Sequence, residues 1–173
     1  MIFRLYCMGM LRKKILNVPY SKQDTSFSCG AASLQMILRY FGIVKSEKDL
    51  ADKFHTNSKS GTSHEAIIKA VKDEGLYYYV NNEAELEEIS AFINRGLPVV
   101  VNFIELSQNE GHYAVVISIE RGYVILNDPW NGENFRMTAE SFIERWTNSK
   151  NRSKQWFLAA SKENIKFGKI YRP

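Results

Sequence analysis

The chain is poor in the residues that build metal centres and disulfide scaffolds: 173 residues contain two cysteines, Cys7 and Cys29, and three histidines. One potential disulfide is poor evidence for an oxidising compartment, so the chain is expected to rely on a hydrophobic core in a reducing or redox-neutral setting. Neither C-x-x-C nor H-E-x-x-H spacing occurs, which removes the ordinary zinc architectures. There is no G-x-S-x-G elbow, Walker loop or G-x-G-x-x-G turn, so serine-hydrolase, nucleotide and dinucleotide chemistry lack their sequence support. No cofactor or metal is expected. No stretch approaches the roughly 20 continuous apolar residues of a membrane span. Met1 to Met10 is broken by Arg4 and is followed, not preceded, by Arg12-Lys13-Lys14, which is the wrong order for a signal peptide. Basic residues exceed acidic ones by only 23 to 19 and form no dense stripe, so nucleic acid is not an expected partner. The expectation is a soluble, cytoplasmic protein with no direct membrane insertion.

A content of 45% hydrophobic and 24% charged residues is that of an ordinary globular protein, and the length suits one domain. Residues 1–17 are taken as an N-terminal extension and 18–173 as the domain. Ala31, Leu34, Ile37, Leu38 and Phe41 recur at helical spacing from Cys29 to Phe41, with Gly42 as the stop. Further helices are predicted from Ser46 to Phe54, from Ser63 to Glu74 and from Glu83 to Arg95. Ser46 with Asp49, and Thr62 with Glu65, have capping-box spacing. After Gly96 the pattern turns to β-branched and aromatic runs, Leu97 to Ile104, His112 to Ile119 and Tyr123 to Asn127, with a tight-turn signal at Glu120-Arg121-Gly122. A helix from Thr138 to Trp146 and a strand from Gln155 to Ala160 complete the reading, and Tyr77-Tyr78-Tyr79 is taken as a strand in the core. Helices first and an antiparallel β-sheet afterwards make an α+β class.

Cys29 opens the first of these helices. A thiol attacks as its anion, and the unpaired N–H groups at a helix N-terminus favour negative charge there. Gly30 and Ala31 are small enough for a substrate backbone to approach. His112 follows Gly111 at the start of an apolar strand, where an imidazole needs partners. A hairpin turning near Glu120 to Gly122 brings that strand start close to Asp128, at the end of the next strand, either opposite His112 or diagonal to it. An aspartate that accepts from one ring nitrogen leaves the other to take a proton from the thiol. Gln23, in the polar loop before Cys29, is the candidate side-chain donor for an oxyanion, beside the Cys29 N–H. His55 and His64 read as solvated residues.

Val18-Pro19-Tyr20, Gln23, Ser28-Cys29-Gly30-Ala31-Ala32 and Met36 resemble the nucleophile segment of bacteriocin-processing cysteine peptidases. Gly111-His112-Tyr113 and Asn127-Asp128-Pro129 resemble that family's histidine and aspartate motifs, and the likeness runs from Val18 to Trp146. The resemblance implies a papain-like fold that cleaves peptide bonds, in the best-known members after a double-glycine leader. It implies a peptide or protein substrate and, if a transporter takes part, a separate one. Transport-linked members commonly carry an acidic residue before the cysteine, where this chain has Ser28. Two other readings use the same residue order: a silent module that holds a peptide in its cleft, and a transglutaminase-like enzyme that passes the acyl group to an amine.

Overall fold

The computed structural model describes residues 15–148 and 153–165. Cys7, the Arg12-Lys13-Lys14 run and most of residues 1–17 lie outside the described residues. Helices come first: α1 (Cys29–Tyr40), α2 (Glu47–Lys53), α3 (His64–Asp73) and, after strand β1 (Tyr77–Asn81), α4 (Leu86–Asn94). Strands β2 (Val99–Ile104), β3 (Gly111–Glu120), β4 (Tyr123–Asp128) and β5 (Gly132–Thr138) follow. Then come α5 (Ala139–Arg145), a short ribbon of β6 (Thr147–Asn148) and β7 (Ser153–Lys154), and β8 (Phe157–Ser161). Six strands form one antiparallel sheet in the order β1-β8-β2-β3-β4-β5. The expected α+β class, N-terminal helices on an antiparallel sheet, is what the chain adopts.

Helix α1 is the centre of the molecule. Every residue from Cys29 to Leu38 is buried, so it is enclosed rather than half-exposed as an amphipathic surface helix would be. It ends as expected: Gly42, at φ +82°, lets its own N–H reach Arg39 O while the Ile43 N–H returns to Leu38 O. Strand β2 is buried at every position from Val99 to Phe103, and alternate residues point to opposite faces, so the sheet is covered on both sides there. The tyrosine run forms β1 at an edge of the sheet, with Tyr77 exposed, so it is an edge strand and not a core one. Strand β5 was not expected; its residues Gly132 to Thr138 alternate too weakly to stand out, and it forms because β4 offers it an open edge.

Helices α2, α3 and α5 start at side-chain caps. Ser46 accepts from the Asp49 N–H and Thr138 from the Ser141 N–H. At α3 the cap is Ser63, which accepts from the Ala66 N–H, and not Thr62 as the capping-box spacing suggested. Thr62 is buried and bonded to the Thr56 hydroxyl at 2.8 Å.

The β3–β4 hairpin carries the geometry on which the site depends. Arg121 and Gly122 both have positive φ, +48° and +78°, the two-residue turn whose twist suits adjoining strands. That turn alone, with Glu120 opposite Tyr123, would pair Asp128 with Val115 and aim its carboxylate away from His112. The simple diagonal relation expected from an Arg121-Gly122 turn is therefore incomplete. A β-bulge between Val116 and Ser118 puts one extra residue into β3, so that Val116 faces Leu126 and Val115 faces Asn127. Asp128 then shares a face with Ala114 and His112.

Candidate active site

Cys29 is the first residue of α1 and is 7% exposed. The residue before it, Ser28, makes no side-chain cap, because its hydroxyl oxygen is occupied by the Thr25 N–H at 3.0 Å and the Thr25 hydroxyl at 2.8 Å. No acidic residue lies in the first turn of α1. The first N–H groups of the helix thus keep their partial positive charge for whatever anion forms beside the sulfur. The carboxylate missing at position 28 has a counterpart in space: Glu47 of α2, buried, accepts the Asp24 N–H at 2.9 Å and a bond from Ser28. Burial pushes the Glu47 carboxyl up despite those bonds.

The space over Gly30 is not open to a substrate. A Cβ there would lie 2.5 Å from Thr62 Cβ, so the glycine is where the 58–62 loop packs against the helix. Sequence reading assigned that space to substrate because it could not see which segment crosses α1.

His112 is 6% exposed and Asp128 fully buried, and the ring Nε2 lies 2.8 Å from Asp128 Oδ1. Cys29 lines the same cleft as His112 and is the other side chain that acts on the ring, and with Nε2 turned to Asp128 the nitrogen left for the sulfur is Nδ1. The Phe103 ring, paired across β2 and β3, closes edge-on over the imidazole at 5.6 Å. Burial, the largest influence, acts to lower the His112 pKa, but the bond to Asp128 and the bond and charge of Cys29 outweigh it and raise it to about 10. For Asp128 burial pushes the pKa up, and the His112 bond and charge with the Trp130 and Asn131 N–H groups pull it below the ordinary carboxylate value. Those two backbone N–H groups reach Oδ1 at 2.8 and 3.0 Å, the turn role that Asp128-Pro129 announces in sequence.

Gln23 lies in the wall of the same cleft, with Cys29, Thr62, His112 and Trp130. Its backbone N–H is tied to Pro129 O at 3.1 Å, which joins the nucleophile loop to the aspartate turn. Its side-chain Nε2 donates to Thr25 O at 2.7 Å, and a primary amide nitrogen has a second hydrogen to give. The amide oxygen is buried without a partner among the described residues. Gln23, Cys29 and His112 thus line one cleft, with Asp128 buried behind His112, and the other walls include residues 58–62 with Glu105, Gln108, Glu110 and Gly111.

Three features went unseen in the sequence. Glu105 and Asn131 form hydrogen bonds behind Asp128, and only the Asp-Pro-x-Asn turn pattern hinted at Asn131. His64, read as solvated, is half-buried: its ring stacks on Trp156 at 4.0 Å and 6°, and its Nδ1 lies 2.6 Å from the Tyr113 hydroxyl. Burial lowers the His64 pKa to about 4, against a small opposing pull from Glu65. His55 is exposed, as expected.

A family model described as Peptidase_C39 like family matches residues 15–154. The chain belongs to this family. It is 30% identical over 126 residues to an uncharacterized protein of Methanothermobacter marburgensis, a match covering 73% of this chain and 81% of that one. It is 28% identical to the pediocin PA-1 transport/processing ATP-binding protein PedD of Pediococcus acidilactici, over 74% of this chain but 17% of that protein. The fold matches the peptidase domain of Streptococcus ComA, a bi-functional ABC transporter involved in a quorum sensing pathway. That match has a TM-score of 0.70 and 22% identity and covers 84% and 99% of the two chains. A double glycine motif protease from an AMS/PCAT transporter, solved in complex with its leader peptide, matches with a TM-score of 0.69 and 22% identity over 86% and 94%. The resemblance to bacteriocin-processing peptidases and the papain-like fold it implied both hold for this C39-like chain. Among the described residues no helix is long and apolar enough to cross a membrane.

Proposed function

We propose that this C39-like protein is a cysteine peptidase with Cys29 as nucleophile, His112 as base and then acid, Asp128 as the orienting carboxylate and Gln23 as an oxyanion donor. The observation that carries the reading is the buried imidazole, bonded through Nε2 to Asp128 and lining one cleft with Cys29 and Gln23. In the first step the one proton that Cys29 and His112 share sits on the ring, and the sulfur attacks the peptide carbonyl as its anion. The carbonyl oxygen becomes an oxyanion facing the Cys29 N–H and the free hydrogen of Gln23 Nε2. The C–N bond then breaks, and the leaving amine takes the proton from His112. Water, deprotonated by the same ring, attacks the thioester and releases the carboxylate product and the thiol. A His112 charge state that persists at neutral pH suits the proton-holding half of this cycle.

The substrate is a peptide or protein, and the relatives favour a leader ending in a double-glycine motif. A separate membrane transporter is the partner through which such a product would leave, and a reducing compartment keeps the thiol free. Cleavage is tested by incubating the protein with a peptide library that includes double-glycine leaders and mapping cut bonds by mass spectrometry. Cys29→Ala should abolish every cut, with a loss on the order of 10⁴-fold or more. Absence of cutting by the unmodified protein, with Cys29 still rapidly alkylated, would favour the silent peptide-holding module instead.

A further inference from the structure

Glu105 follows the last residue of β2 and is 3% exposed. A carboxylate in such a place costs several kcal/mol to desolvate unless its oxygens are filled. They are filled by neutral donors. Oε2 accepts the Ser107 N–H at 2.7 Å, the Ser107 hydroxyl at 2.7 Å and the Gln108 N–H at 2.8 Å. Oε1 accepts from Asn131 Nδ2 at 3.1 Å, and the same nitrogen gives its other hydrogen to Asp128 Oδ2 at 3.2 Å. Arg145, the cation that reaches this corner, bonds the backbone oxygens of Ile104 and Glu105 and the Asn109 side chain.

The donor between the two carboxylates has to be neutral and has to carry two hydrogens on one atom. A lysine would neutralise Asp128 and weaken its hold on the imidazole, and an aspartate would repel it; a primary amide meets both needs. On its other side Glu105 organises the loop that leads directly into His112. Its N–H donates to Glu110 O at 2.9 Å, and its carbonyl accepts the Asn109 N–H at 3.1 Å. One carboxylate therefore reaches both members of the His112–Asp128 pair, the first through the 105–110 loop and the second through Asn131. Burial would push Glu105 up, but the bonds from Ser107, Gln108 and Asn131 prevail and hold it below the ordinary value, so it stays an acceptor.

We propose that Glu105 is a positioning residue which, through Asn131, fixes the Asp128 carboxylate against His112 and ties it to the 105–110 loop. The inference rests on the peptidase reading for its effect on turnover, but its geometric content does not. In Glu105→Gln a single oxygen cannot serve both the loop and Asn131, and in Asn131→Ala the link is removed while both backbone bonds to Asp128 Oδ1 remain. Each variant should lower kcat by roughly ten- to hundredfold with KM little changed, because the reacting groups are misaligned and substrate contacts are kept. The double variant should be no worse than the weaker single one, since both changes cut one connection.

Ser107→Ala, which removes a loop-side bond but not the Asn131 link, serves as the control and should keep kcat. The geometry is read separately by the ring-proton NMR signal of His112 Nε2, sharp in the unmodified protein and broadened by exchange with water in both variants. Additive losses, an equal loss in Ser107→Ala, or a sharp ring proton retained in both variants would overturn the proposal. Should the unmodified protein cut no peptide, the peptidase reading falls and the ring-proton comparison still decides the positioning role.

Discussion

His112 and His64 are both drawn away from water, and residues adjacent in sequence on β3, His112 itself and Tyr113, bring them their contacts, yet their charge states diverge. His112 is raised to about 10 because its bond to Asp128 and the influence of Cys29 together outweigh burial. His64 is lowered to about 4 because its surroundings, the Trp156 face and the Tyr113 phenol, are neutral and leave burial unopposed apart from Glu65. Burial does not decide an imidazole's charge; the partners admitted with it do. The pH windows are accordingly opposite. Stability from His112 is complete below its unfolded value of about 6.5 and is lost as pH rises through about 10. Stability from neutral His64 is complete above about 6.5 and is lost as pH falls toward about 4.

The change that should break this contrast most severely is Asp128→Asn. The new side chain can still accept the Trp130 and Asn131 N–H groups, but it brings no charge. The His112 titration, followed by NMR, should fall from about 10 toward the ordinary imidazole range, and turnover should drop by roughly 10²–10⁴-fold. A titration that stays where it is would show that Cys29 alone holds the proton on the ring. A smaller effect is expected from Gln23→Ala, which removes a donor on the helix side of the cleft and touches neither imidazole. Turnover should fall about a hundredfold while both titrations and the melting temperature remain; unchanged kcat would remove Gln23 from the site.

Gly30→Ala sharpens the comparison from the side of the nucleophile. The added methyl meets Thr62 Cβ at 2.5 Å, and the overpacking should cost about 1–3 kcal/mol in urea unfolding. Adding Thr62→Gly should recover part of it, and no recovery would mean that the helix and not the 58–62 loop yields. Least disruptive is His64→Phe, which keeps a ring on Trp156 and removes the titration. It should cost about 1 kcal/mol at neutral pH through the lost Tyr113 bond, and its stability should fall less than that of the unmodified protein between pH 6.5 and 4. An identical acid slope in both proteins would place the acid-sensitive group elsewhere.

Some of this was legible in advance because it rests on local rules. The α1 start at Cys29, its stop at Gly42, the Ser46 cap and a tight turn within Glu120-Arg121-Gly122 each depend on a few neighbouring residues, and each stands where the pattern indicated. What failed locally failed for a nonlocal reason. Thr62 has the right spacing to cap α3 but is drawn to Thr56 and onto Gly30. His64 reads as solvated until β8 lies near enough in space for the neighbouring Trp156 to cover it. Glu105 looks like any loop glutamate until Asn131 arrives from another turn.

The linear order of residues was sufficient for the α+β class and the family likeness, and for nominating Gln23, Cys29, His112 and Asp128 as the proposed site, because residue type, spacing and period survive without coordinates. Which way those groups face was settled in three dimensions, above all by the extra residue between Val116 and Ser118 that turns Asp128 onto the face of His112. A bulge is the outcome of competition between a turn's register and the packing of the whole sheet. The same holds for the charges: an imidazole's pKa is a sum over neighbours that only folding assembles.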